Sequence, residues 1–129
     1  MANLLDDPSI SDKDRLLRRI PPYQYVADRN TGNMRVSSAA FSDNRLSVDL
    51  LAVLEATGKG FEAALIGHDG FGLASITAGL ARECAQVVVR EPLPDNKAHA
   101  LVVGKKTRSI RNRFRKQCCL LVPPRQPAA

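Results

Sequence analysis

The apolar positions of this chain come in short clusters divided by turn-forming residues, and their spacing assigns most of the elements. Residues 1–10 hold Asp6 and Asp7 and no sustained apolar run, which reads as a flexible N-terminal tail. Ser11-Asp12-Lys13-Asp14 then has the form of a helix start, with Ser11 as N-cap and Asp14 near the positive end of the dipole. Leu16, Leu17 and Ile20 supply an apolar edge for that helix. Pro21-Pro22 stops it, because the residue before a proline is biased toward extended geometry. Tyr23–Ala27 and Met34–Phe41 read as extended and are joined by the turn-rich Asp28–Asn33 segment, a hairpin pattern.

Ser47 can cap a second helix over Val48–Ala56, in which Leu50, Leu51, Val53 and Leu54 share a broad face, and Gly58 is placed to stop it. Phe61–Ile66 fits a short helix and a strand equally well. After the Gly67–Gly72 loop, Leu73, Ile76, Leu80 and Cys84 recur at the period of a helix over Ala74–Cys84. Gln86–Val89 is the strongest strand by β-branched content and His99–Val103 the next. The Pro-bearing Glu91–Asn96 link makes them an antiparallel neighbour pair. From Thr107 a final helix sets Ile110, Phe114, Cys118 and Leu121 on one narrow side, and Pro123, Pro124 and Pro127 end it. The order α, β, β, α, α, β, β, α carries no alternating βαβ signal. The expected class is therefore α+β: a small mixed or antiparallel sheet packed by about four helices, the last amphipathic and basic. It forms one domain over residues 11–122, followed by a disordered tail at 123–129.

Composition narrows the partners. A chain of 129 residues, 44% hydrophobic and 25% charged, can bury one real core. With four Phe, two Tyr and no Trp it cannot easily build a base-stacking platform, so any contact with nucleic acid would rest on phosphates. Cys84, Cys118 and Cys119 are an odd number, two of them adjacent, which is not a disulfide framework, and no secretory signal precedes them. The longest charge-free apolar stretch, residues 70–81, is too short to cross a bilayer. A reducing, cytoplasmic location without membrane contact is expected.

Charge changes the picture most. All 13 acidic residues lie at or before Asp95, against 10 of the 19 Lys and Arg; beyond it there is no acid. Lys105, Lys106, Arg108, Arg111, Arg113, Arg115 and Lys116 crowd into one short segment. Such a run repels itself unless counter-charge is supplied. It points to a polyanion as partner, nucleic acid or an acidic protein surface, met by the cationic C-terminal helix.

Candidate chemistry is thin beside it. His68-Asp69 in a glycine loop ahead of the expected third helix suggests an anion cradle or an oriented base, though the spacing is neither a dinucleotide fingerprint nor a P-loop. His99 sits inside an expected strand. Ser37 and Ser38 lack the elbow glycines of a hydrolase nucleophile. The cysteines and histidines match no paired-ligand zinc spacing. No metal, cofactor or catalytic residue is assigned on these grounds. The alternative to a binding protein is a small enzyme or toxin-like effector acting on a nucleotide or NAD, using His68 or His99 with Arg18 or Arg19.

Arg18-Arg19-Ile20, Ser37-Ser38-Ala39-Ala40-Phe41, Leu46-Ser47-Val48-Asp49 and His99-Ala100-Leu101-Val102-Val103-Gly104-Lys105-Lys106 together resemble a set of small bacterial proteins of uncharacterised activity. The resemblance implies a bacterial single-domain architecture and places no chemistry on any residue. The Arg, Ser-Ser and His combination is also similar to the polar sets of small NAD-cleaving or ADP-ribosyl-transferring folds, from which the chain departs in lacking a glutamate on a suitable strand.

Overall fold

Leu16-Leu17-Arg18-Arg19-Ile20 forms the centre of a sheet rather than a helix. The computed structural model describes residues 4–125. Its strands are β1 (Arg15–Ile20), β2 (Tyr25–Ala27), β3 (Met34–Val36), β4 (Arg45–Leu50), β5 (Gly72–Thr77), β6 (Val87–Arg90), β7 (His99–Val103) and β8 (Cys119–Val122). Its helices are α1 (Leu51–Ala56), α2 (Ala78–Glu83) and α3 (Arg108–Gln117). Six strands make one sheet in the order β6-β7-β4-β1-β5-β8, every pairing antiparallel, and β2 and β3 make a separate hairpin. The class is α+β as expected. The sheet is larger than expected and the α-helices number three, not four.

The Ser11–Asp14 signal does form a local turn. Asp14 Oδ2 accepts from Ser11 N at 2.9 Å and Asp14 N donates to Ser11 O at 2.9 Å. The chain then extends, because an extended strand buries Leu16 and Ile20 on one face and Leu17 on the other. The same logic overturns two further helical expectations. Arg45–Leu50 alternates, with Leu46, Val48 and Leu50 in the main core, so Ser47 sits in a strand and α1 starts only at Leu51. Leu73 and Ile76 belong to β5, and the helix expected over Ala74–Cys84 shrinks to α2, whose first turn is capped by Thr77 Oγ1 accepting from Leu80 N at 3.1 Å.

At the C-terminus Thr107 Oγ1 accepts from Ile110 N and starts α3, but the helix ends at Gln117 and Cys118 turns extended. Cys119–Val122 becomes β8, paired with β5, so Leu121 joins the Leu17–Leu73 cluster and not the stripe of Ile110, Phe114 and Cys118. Gly72 makes this pairing feasible: a Cβ there would lie 2.5 Å from Val122 O. The segments read as tails are also built in where they are described. Ile10 is 1% exposed in the core, Asp7 N donates to Val88 O at 2.8 Å, and Arg125 N donates to Gly70 O at 2.9 Å. Residues 1–3 and 126–129 lie outside the described range.

Other expectations hold. The β2–β3 hairpin and the antiparallel β6–β7 pair are present, although β3 ends at Val36 and Ser38–Phe41 is a 3-10 turn. Phe61–Leu65 resolves as a 3-10 helix, and Gly58, at φ +78°, stands just past α1. One face of the sheet packs Leu16, Ile20, Leu46, Val48, Ile76 and Val102 against α2, α3 and Phe41. The other face is covered by Phe61–Leu65 and α1 over Leu17 and Leu73, and across β1, β4 and β7 it carries Arg19, Ser47, Asp49 and His99 beside apolar Leu101 and Val103.

Two side chains fix α3 and the loop before it. Phe114 is fully buried and meets Phe41 edge-on at 5.9 Å between ring centroids. Lys106 is 6% exposed, and its Nζ donates to Val102 O at 2.8 Å, Gly104 O at 3.1 Å and Asn44 O at 3.3 Å. Burial pushes the Lys106 ammonium down to about 8, against the pull of the Asp43 carboxylate.

Phe114→Ala is expected to cost about 3–5 kcal/mol in urea denaturation, while Lys116→Ala on the exposed side costs within about 0.5 kcal/mol; equal small losses would mean that α3 is not docked. Lys106 gives a pH signature. Its folded value lies below the ordinary lysine value, so between about pH 8 and the lysine range of about 10.4 the unfolded chain holds the extra proton and stability rises with pH. The urea midpoint should climb through that window in the parent and climb less in Lys106→Met. Parallel profiles for the two proteins would mean that the three carbonyls keep the ammonium charged.

Candidate functional site

The acid-free segment folds into a surface with one buried edge. The ten-residue α3 is anchored by Phe114, with Ile110 and Cys118 partly buried beside it. Lys105, Arg108, Arg113 and Lys116 are exposed and Arg111 and Arg115 half-buried. The Nε atoms of Arg111 and Arg115 are enclosed without an acceptor, so these two lay their stems along the protein, as long cationic side chains do. Lys106 is not part of this surface, because its ammonium is spent on three backbone carbonyls.

Among the described residues most arginines outside α3 are paired with a carboxylate and most of those in α3 are not. Arg19, Arg35, Arg45, Arg82, Arg90 and Arg125 each reach a carboxylate. In α3 only Arg113 does so among the described residues, through Glu83 at 2.6 Å, with Cys84 Sγ at 3.7 Å. Arg108, Arg111, Arg115 and Lys116 face no acid partner among the described residues. Arg82 shows the contrasting solution: the hydrogen bonds it donates to Asp6 and Asp12 hold its guanidinium above its ordinary value, and the group clamps α2 to the N-terminal segment.

The remaining sequence candidates divide between the two sheet faces. Arg18 points to the apolar face, where Nε donates to Ala40 O at 2.9 Å and Nη1 to Ser47 O at 3.0 Å. Burial, and then the charge of Arg19, push its guanidinium below the usual value. Ser37 accepts from Ala39 N at 3.2 Å and caps the Ser38–Phe41 turn, a packing role. Arg19, His68 and His99 line one cleft on the other face. Sequence reasoning missed the residues that organise that cleft, Asp49 and Asn96. The cross-strand register sets Asp49 opposite His99, and Asp49 was read as helical.

The glycine loop loses its anion-cradle premise. It leads into β5, not into a helix, so no dipole stands behind it. Asp69 pairs with Arg125 at 2.7 Å, and His68 tilts against Phe71 with ring centroids 5.4 Å apart, so the two neighbours do not form a base and its orienter. The three cysteines are free: Cys84 is buried, Cys118 half-buried and Cys119 exposed. Burial, and then neighbouring Cys119, push the Cys118 thiol up. Among the described residues no cluster of three or more His, Cys, Asp or Glu could hold a metal ion, and no helix is long and apolar enough to cross a membrane.

Comparison with known proteins brings no neighbour: no family model, no curated protein and no solved structure matches this chain.

Proposed function

We propose that this domain binds a polyanion through the α3 surface, with the phosphates of nucleic acid as the partner it fits. One observation carries the reading. Four cations of a single short helix have no carboxylate within reach among the described residues, while six arginines elsewhere are paired. Unpaired cations held on a docked helix attract a chain of negative charge without having to break internal ion pairs first. The shortage of aromatics argues against base stacking, and no helix-turn-helix or RNA-recognition motif accompanies the helix, so the contact is to the backbone and tolerant of sequence.

Fluorescence anisotropy with a duplex and a single-stranded DNA tests this. About four phosphate contacts give a slope of roughly −4 in log K against log salt for the duplex. Combined Arg108→Ala, Arg111→Ala and Arg115→Ala should weaken binding at low salt and bring the slope to about −1. Salt-insensitive binding, or a triple variant that binds like the parent, would leave α3 as a solvated helix face.

A further inference from the structure

The polar half of the second sheet face holds a cleft of about 650 Å³, within the range of about 300–1,000 Å³ usual for small-molecule sites. It holds the Arg19–Asp49 ion pair, whose carboxylate is buried and whose guanidinium is partly exposed. Asp49, 2% exposed, accepts from Arg19 Nη1 at 3.0 Å and from Asn96 Nδ2 at 2.9 Å. Arg19 Nη1 also donates to Ala64 O at 3.1 Å, which ties the guanidinium to the Phe61–Leu65 turn. A carboxylate buried this deeply is costly unless paired and hydrogen-bonded on both oxygens, and here both are used. The protein has thus fixed an arginine in place while leaving part of its fork free. Nη1 alone takes protein partners, and Nε and Nη2 have none among the described residues.

His99 supplies a second unused group. It is 8% exposed and lies directly across from Asp49 in the β4–β7 register. Its Nδ1 sits 3.0 Å from Glu91 O and 3.4 Å from Glu91 Oε1. A carbonyl can only accept, so Nδ1 carries the proton there, and Nε2 has no hydrogen-bond partner among the described residues. Lys59 and Lys97, both exposed, stand at the margin. The acids of the lining are Asp49, spent on Arg19 and Asn96, and Asp95. Apolar Val53, Leu54, Leu93 and Pro94 share the walls with polar residues, and Ile66 at the mouth is 76% exposed.

We propose that this cleft binds a small organic phosphate, a phosphate ester on a flat and largely apolar body of nucleoside-monophosphate size. The donors come from different elements and directions: a guanidinium fork on β1, an imidazole on β7 and two ammonium groups on loops. That arrangement serves a tetrahedral group with three free oxygens better than a planar carboxylate, which one arginine fork would satisfy alone. The phosphate meets Arg19 and His99, and the body lies between Leu54, Pro94 and Ile66. The site is on the face of the sheet opposite α3, so it does not depend on the polyanion reading.

Thermal shift and amide-shift NMR titrations with AMP, UMP, inorganic phosphate and benzoate test the assignment. Both nucleotides should raise the melting temperature more than inorganic phosphate, and benzoate should do little. Arg19→Ala strips the partner from buried Asp49 and His99→Gln alters a buried, hydrogen-bonded side chain, so both risk destabilising the fold; Lys97→Ala and Ile66→Ser do not. These last two should keep the melting temperature of the free protein, and His99→Gln, Lys97→Ala and Ile66→Ser should each weaken AMP by about three- to tenfold. The triple α3 variant should bind AMP like the parent. Benzoate matching the nucleotides would make the site one for carboxylates. Inorganic phosphate matching them would mean that the apolar walls take no part. Loss of AMP binding in the α3 variant, or titration shifts confined to α3, would place the phosphate there. Any of these results, or no saturable shift near Asn96 and His99, overturns the proposal.

Discussion

The fold depends on inserting β1 between β4 and β5 with cargo on both faces. Leu16 and Ile20 on one side and Leu17 on the other are each at most 2% exposed, and burial of each such side chain contributes about 1.5–3 kcal/mol. The constraint falls on the two arginines of the strand, which alternation sends to opposite faces. Each meets it differently. Arg18, in an apolar setting, is satisfied by two backbone carbonyls, and Arg19 by a buried carboxylate. Backbone carbonyls end Arg18's availability, whereas the Asp49 pairing holds Arg19 still and leaves part of its fork open to a cleft.

Much of the periphery was legible in the sequence and the centre was not. The β6–β7 pair, the β2–β3 hairpin and the start of α3 carry β-branched runs, turn residues or a threonine cap that act locally. The central strands β1, β4 and β5 bury residues on both faces, so their apolar positions crowd together and mimic the spacing of a helix. In β4 the alternation Leu46, Val48, Leu50 was present, but the adjoining Leu51, Val53 and Leu54 of α1 blurred it. β8 was hidden for another reason: nothing local at Gln117-Cys118-Cys119 stops a helix, and the strand exists because β5 offers an edge beside Gly72. The cleft was half visible. Arg19 and His99 stood out as residue types, but Asp49 and Asn96 acquire their meaning only from the register of β4 with β7.

The charge asymmetry of the sequence becomes an asymmetry of pairing in the fold. The acids pair with cations outside α3: Asp6 and Asp12 with Arg82, Asp28 with Arg35, Asp69 with Arg125, Asp49 with Arg19. Among the described residues only Glu83 reaches α3. Lys106 shows that a basic run is not uniform, since one of its members turns inward to close the end of β4 and β7.

The connections of α3 have a thermodynamic consequence. The helix leaves β7, second from one edge of the sheet, and returns as β8 at the opposite edge. It is a strap spanning the sheet, fastened at both ends and pinned by Phe114. A partner that grips it encounters an element already docked, with little backbone entropy left to lose. The reverse coupling follows. Because α3 packs through Phe114 into the main core, a partner bound at this helix stabilises the folded domain by mass action.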